Sequence, residues 1–258
     1  MIFDSHIHTV LSGDSELKLV DAIKRADELG IGMVLTEHMD INDYEESYCD
    51  VDLDKFYSEY SKFRGDKLLF GIELGLRKEA VERNIEIINQ RDFDFILCSV
   101  HSPYDIENIY EFYDSERSKK EAYSLYFESM IKSIKENEYL DSLAHIDYIA
   151  RYLKYDDKEL YYHEHKTLID EALKEIALRD KSMEISTKRI GNKKSAEELI
   201  KIYKRFRELG GKTVTIGSDS HHVDAIGNNF KLALEIAEMS GLKPVYYKNR
   251  KREYFSSI

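Results

Sequence analysis

Apolar strand-like runs alternate with amphipathic helical stretches along nearly the whole chain. The first ten residues, Met1 to Val10, begin apolar and pass directly into His6-Ile7-His8. Leu17, Val20, Ile23 and Ala26 then recur at helical spacing, and Gly30 stands where a helix C-terminal cap belongs. Gly32 to Glu37 reads as a second strand, followed by a helix around Leu53, Phe56, Tyr60 and Phe63. The pattern repeats with a strand Lys67 to Glu73, a helix around Val81, Ile85 and Ile88, and a strand Phe95 to His101. A long amphipathic helix carries Ala122, Tyr126, Met130 and Ile134 and leads to a strand Ser142 to Ile146. A helix through Leu168, Ala172 and Ile176 precedes a sixth strand, Ser182 to Ser186. A helix with Leu199, Ile202, Phe206 and Leu209 leads to the seventh, Thr213 to Gly217. After a helix near Leu234 and Ala237, Val245 to Phe255 forms a β-rich tail.

Seven βα units with right-handed crossovers imply a parallel sheet, and apolar strands in that number favour closure into a (β/α)7 barrel over an open doubly wound sheet. No Gly-x-Gly-x-x-Gly or P-loop follows any strand, which argues against a nucleotide-binding α/β sheet. With 258 residues and no linker-like stretch, a single domain over 1–258 is expected.

Composition narrows the partners. Lys plus Arg total 38 and Asp plus Glu 50, a formal charge of −12, and the basic residues form no long stripe. Nucleic acid is therefore not expected as a partner. An anionic small molecule would have to be attracted by something local, such as metal ions or a few aimed arginines. No basic leader or apolar run approaches the roughly 18 residues a membrane helix needs, so a cytoplasmic protein is expected. The two cysteines, Cys49 in a polar stretch and Cys98 inside a strand, lack CxxC spacing, whereas there are nine histidines. Metal chemistry, if present, would use nitrogen and oxygen donors.

The strand period of two aims His6 and His8 the same way, close enough to share one ion. Such a pair is weak evidence by itself. In a parallel barrel, however, the functional face lies at the C-terminal ends of the strands, and polar residues recur there. They are His6 and His8, Thr36-Glu37-His38, Gly71-Ile72-Glu73, Ser99-Val100-His101, Ala144-His145-Ile146-Asp147 and Gly217-Ser218-Asp219-Ser220-His221. Six of the seven strands contribute, and separate chance explanations at equivalent positions become improbable together.

Through these motifs the chain resembles the polymerase-and-histidinol-phosphatase (PHP) metallohydrolases, and among them the stand-alone histidinol-phosphate phosphatases. The resemblance spans nearly the whole chain. It implies a distorted (β/α)7 barrel with two to three divalent ions, usually zinc, manganese or iron. His6, His8, Glu73 and Asp219 would hold the first ion, and Glu73 would bridge to a second held by His101 and His145. A third would use Asp14, His38 and His221, although Asp14 could equally cap the following helix. A carboxylate can span two cations, whereas a neutral imidazole offers each ion one lone pair.

Such a site suits phosphate-ester hydrolysis. The resemblance implies hydrolysis of L-histidinol phosphate in histidine biosynthesis, with Glu73, Asp219, Arg151 and Arg189 as catalytic residues. Arg151 follows the His145-Ile146-Asp147 motif and is the first candidate to grip the phosphoryl group. Arg189 is the second, with Lys188 as its alternative. A phosphoesterase acting on nucleotides or oligonucleotides, or a non-catalytic metal-stabilised module, are the competing functions. His163 and His165 are expected to be solvated residues of a helix running from Leu160 to Arg179, unable to share an ion. His222 is expected at the surface, the helix tyrosines in packing, and Tyr104 near the barrel mouth.

Overall fold

The computed structural model describes residues 1–40, 50–103, 106, 112–113 and 116–255. Cys49 and Tyr104 lie outside the described residues. The elements follow the expected alternation. In order they are β1 (Phe3–Ile7), α1 (Leu19–Leu29), β2 (Gly32–Met39), α2 (Leu53–Tyr60), β3 (Leu68–Gly75), α3 (Val81–Gln90), β4 (Phe95–Ser99) and α4 (Lys119–Glu136). Then come β5 (Ser142–Leu143), α5 (Lys166–Leu178), β6 (Ser182–Ser186), a short α6 (Thr187–Ile190), α7 (Lys193–Glu208), β7 (Thr213–Gly217), α8 (Phe230–Met239), β8 (Lys243–Lys248) and β9 (Lys251–Tyr254).

Local chemistry sets several boundaries. Gly30 closes α1 with a left-handed φ of 68°, the conformation glycine adopts without a Cβ penalty. Ser118 and Glu121 form a reciprocal capping box at the start of α4, and Asn192 caps α7 through the backbone of Lys194 and Ser195. Two boundaries differ from the sequence reading. The fifth strand stops after two residues, because the His145 N–H turns to the Glu184 carboxylate at 2.9 Å and leaves the ladder. The helix expected from Leu160 begins only at Lys166; Tyr162–Glu164 make a single 3-10 turn, and His165 has a non-helical φ of −124°.

Strands β1 to β7 lie side by side in chain order, all parallel. The ring closes at their C-terminal ends: Ile7 bridges to Ser220, the His8 N–H donates to the Ser220 carbonyl at 2.9 Å, and the Ser220 N–H donates to His6 at 3.3 Å. At the other end β7 pairs instead with β8, through Thr213–Lys243 and Val214–Pro244. The β8–β9 hairpin thus fills the space between β1 and β7, and Phe3 stacks on Tyr246 with ring centroids 3.9 Å apart. Its two-residue turn, Asn249 and Arg250, has φ of 50° and 62°, as a type I′ turn requires.

The barrel interior is layered. Phe3, Val34, Leu69, Phe95, Leu97, Ala144, Val245 and Tyr247 form an apolar plug, separate from the larger core between strands and helices. Hydroxyls come next, with Ser142 on Thr215 at 2.9 Å and Ser182 on Thr213 at 2.7 Å. The imidazoles and carboxylates occupy the last layer. A register shift between Asp4 and Ile7 inserts one extra residue in β1, so Phe3 and His6 both point inward. None of the described helices is long and apolar enough to cross a membrane.

Phe3 is 1% exposed and joins β1 to the hairpin. Phe3→Ala is expected to cost about 3–5 kcal/mol in urea-induced unfolding. A loss below about 1 kcal/mol would show that the hairpin does not depend on this contact.

Candidate metal centre

The last barrel layer gathers all nine residues expected as metal ligands. Glu73, ending β3, is 1% exposed and sits at the middle. Its Oε1 lies 3.4 Å from His6 Nε2, 3.4 Å from His101 Nε2 and 3.1 Å from His145 Nε2, and its Oε2 lies 3.6 Å from His8 Nε2. Asp219 Oδ1 is 3.7 Å from His6 Nε2 and 3.4 Å from His8 Nε2. On the solvent side, Asp14 Oδ2 is 3.4 Å from His38 Nε2 and 3.2 Å from His221 Nε2, and the two imidazoles are 3.4 Å apart. Donors held 2.0–2.1 Å from one ion at tetrahedral angles stand about 3.3 Å apart. The spacing therefore suits shared ions.

Hydrogen bonding makes the same point. Among the described residues, His6 Nε2, both ring nitrogens of His8 and Glu73 Oε2 are buried without a hydrogen-bond partner. Even the 2.8 Å approach of His38 Nδ1 to Glu73 Oε2 is not aligned for one. Each such orphan costs on the order of 1–3 kcal/mol, and several in one place are rare in folded proteins. Three groups of donors could each hold an ion: His6, His8 and Glu73; Glu73, His101 and His145; and His8, His38 and His221. A set of nitrogen and carboxylate donors without thiolate fits zinc, iron or manganese.

The ionisation pattern follows from crowding. Burial would raise the Glu73 carboxyl, but His6 and His101 hold it well below the usual carboxylate range. Asp219 behaves alike, with Arg151 and then His6 outweighing burial. Burial, with His38 beside it, lowers His8 well below an ordinary histidine, and burial lowers His145. Burial would also lower His6, His38 and His101, yet neighbouring carboxylates outweigh it. Glu184 and Glu73 act on His6, Asp14 and Glu73 on His38, and Asp40 and Glu73 on His101, which is pushed up to about 10.

Two supporting carboxylates were missed from the sequence. Asp40 Oδ2 lies 2.6 Å from His101 Nδ1, and Glu184 Oε1 lies 2.7 Å from His6 Nδ1. Asp40 follows β2 by one residue, and Glu184 is a charged side chain at an inward position of β6. Those placements were the available signals. Glu37 faces away from the donors and organises the loop to Asp14, accepting from the Thr9 N–H at 2.9 Å and from Ser12 Oγ at 2.6 Å. Asp219 adopts a left-handed φ of 53°, uncommon outside glycine and tolerated by aspartate, where the chain turns out of β7.

A cleft of about 510 Å³ opens over the centre, lined in part by Tyr148, Arg151, Tyr152, Lys188 and His222. Arg151 Nη1 donates to Asp219 Oδ2, and its guanidinium lies 5.1 Å over the Tyr148 ring. Lys188 Nζ donates to the Asp219 carbonyl at 2.8 Å. Arg189, the expected second phosphate contact, is placed elsewhere. It pairs with Asp147 and Glu159 at 2.6 Å each and does not line the cleft, because one residue along a helical turn rotates a side chain by about 100°. Lys188 lines the cleft instead. His222 is exposed, as expected, and lines the cleft. His163 is exposed, but His165 is buried against Tyr123, with centroids 5.3 Å apart, which corrects the expectation of two solvated helix residues.

A family model described as the PHP domain matches residues 4–188. The chain belongs to the PHP domain family. Among its PHP relatives, a protein of Clostridium acetobutylicum named probable histidinol-phosphatase is 43% identical over 254 residues, covering 98% of this chain and 100% of that protein. The histidinol-phosphatase of Lactococcus lactis is 30% identical over 84% of this chain and 83% of its own. A solved structure of histidinol phosphate phosphatase from Lactococcus lactis, complexed with zinc, L-histidinol and phosphate, matches with a TM-score of 0.89 and 27% identity, covering 98% of both chains.

Neighbouring carboxylates favour the protonated form of His6, His38 and His101, and a protonated imidazole has no lone pair to offer an ion. An ion such as zinc would have to displace those protons, so its affinity should rise with pH up to the His101 value of about 10, with proton release on binding below that value. Titration calorimetry in buffers of different ionisation enthalpy measures the release. A pH-independent affinity without proton release would contradict the assignment of these imidazoles.

Proposed function

We propose that this PHP protein hydrolyses L-histidinol phosphate to L-histidinol and phosphate in histidine biosynthesis, using two or three divalent ions such as zinc held by the donors described above. The observation that carries this reading is the whole-length likeness to histidinol-phosphatases, one of them solved with zinc, L-histidinol and phosphate, combined with orphaned donors at the floor of a cleft. The size of the cleft and the acidic chain support a small phosphorylated molecule as the substrate.

Bound ions would supply positive charge for the phosphoryl oxygens and lower the pKa of a water molecule towards neutrality. His6, His8, Glu73 and Asp219 would hold the first, Glu73, His101 and His145 the second, and Asp14, His38 and His221 the third. The chain's own cations do the rest. Arg151 is 11% exposed and lines the cleft, where its guanidinium fork would meet a phosphoryl oxygen. Asp219 anchors Nη1 of that fork, and Ser186 Oγ, 3.4 Å from Nη2, steadies it. Lys188, more exposed, adds a mobile ammonium on the same side. Together they position the phosphoryl group and stabilise charge that builds on it.

Arg151→Met should lower kcat/KM for L-histidinol phosphate by about a hundredfold or more while metal content stays that of the parent protein. The parent should prefer L-histidinol phosphate over aryl phosphates, nucleotides and oligonucleotides in a phosphate-release assay. Turnover of L-histidinol phosphate no better than that of an aryl phosphate would overturn the substrate assignment.

A further inference from the structure

We infer that Glu184 is the positioning residue that locks His6 and His145 together, so that one buried carboxylate sets the geometry of the first two donor groups at once. The inference rests on the metal-binding reading of the centre and is independent of the substrate.

Glu184 belongs to β6, which contributes to none of the three donor groups. Its side chain points into the barrel and is 1% exposed. Oε2 accepts the His145 backbone N–H at 2.9 Å, and Oε1 meets His6 Nδ1 at 2.7 Å. For His6 Nε2 to present a lone pair to an ion, the ring proton must sit on Nδ1, and Oε1 must accept it. Both oxygens are therefore acceptors. Glutamine cannot replace this arrangement, because its NH2 group would face one of the two donors.

The two bonds act on different atoms. One fixes the tautomer and ring orientation of His6, whose Nε2 is aimed at Glu73 and Asp219. The other replaces the ladder bond that β5 lacks at His145, and so holds the His145 ring with Nε2 3.1 Å from Glu73 Oε1. The neighbouring strand makes room for the carboxylate. A Cβ on Gly217 would stand 2.1 Å from Glu184 Oε1 and 2.5 Å from His6 Cβ, so β7 has a glycine where any side chain would push the pair apart. Tyr203 of α7 adds support by donating to the Glu184 carbonyl at 2.9 Å.

The test is zinc binding by metal-stripped full-length protein, read by competition with a chromophoric chelator. Glu184→Gln should weaken the two tightest zinc equivalents by about ten- to a hundredfold. It should also shift the visible absorption of the cobalt(II)-loaded protein, which a general loss of stability would not do. A measurement on the unaltered chain complements the variant: 15N spectra of histidine-labelled, zinc-loaded protein should show His6 protonated on Nδ1 and ligating through Nε2. Parent-like zinc affinity and an unchanged cobalt spectrum in Glu184→Gln would overturn the inference, as would a His6 ring carrying its proton on Nε2. If the parent protein binds no zinc or cobalt at all, the metal-binding reading fails and takes the inference with it; failure to turn over L-histidinol phosphate leaves it standing.

Discussion

A single buried carboxylate organises the site. Glu73 is met within 3.6 Å by five imidazoles from both residues at the end of β1, from β2 and from the exits of β4 and β5. Removing a carboxylate from water is costly unless opposite charge or donors compensate it, and here the compensating groups are themselves buried. The barrel below has to be rigid enough to hold this cluster against its own repulsions. That role falls to the apolar plug and to the hydrogen-bonded hydroxyl layer above it, which leave the ionisable cluster at the C-terminal rim.

The strand ends were legible because a parallel barrel exposes one face and each apolar run stops with a polar residue there. Less legible were features created by contacts between distant residues. The alternation rule alone would send Phe3 and His6 to opposite faces, and the bulge in β1 that reconciles them has no local sequence marker. The two-residue β5 could not be foreseen, since its truncation depends on a side chain 39 residues away. Likewise, the periodic pattern before Lys166 counted apolar residues without seeing that His165 packs, buried, against Tyr123 and Phe127. For Lys188 and Arg189, composition offered two equivalent cations; only the helical turn after β6 decides which one faces the cleft.

The supporting carboxylates change the electrostatic picture of the centre. Three divalent ions held by Glu73, Asp14 and Asp219 would leave a large excess of positive charge, and Asp40 and Glu184, which lie against His101 and His6, would reduce that excess. Arg151 and Lys188, two cations at one edge of the cleft, would then add to the attraction of a phosphate. An acidic protein can thereby handle an anionic ligand without a basic surface, because the favourable field is confined to a shielded cleft.

Closure of the ring through His8 and Ser220 joins the first strand to the exit of the seventh, far apart in the sequence. Contacts of such long sequence separation form late, since the loop between them must be ordered before they contribute. During synthesis, the imidazoles of β1, β2 and the exits of β4 and β5 emerge well before Asp219 and His221. A nascent chain therefore carries most of these imidazoles on an unclosed, half-wrapped sheet, and the full cluster of donors is assembled only after the seventh strand has left the ribosome. Maturation of the centre is in this sense a terminal event, timed by the position of two residues in the sequence.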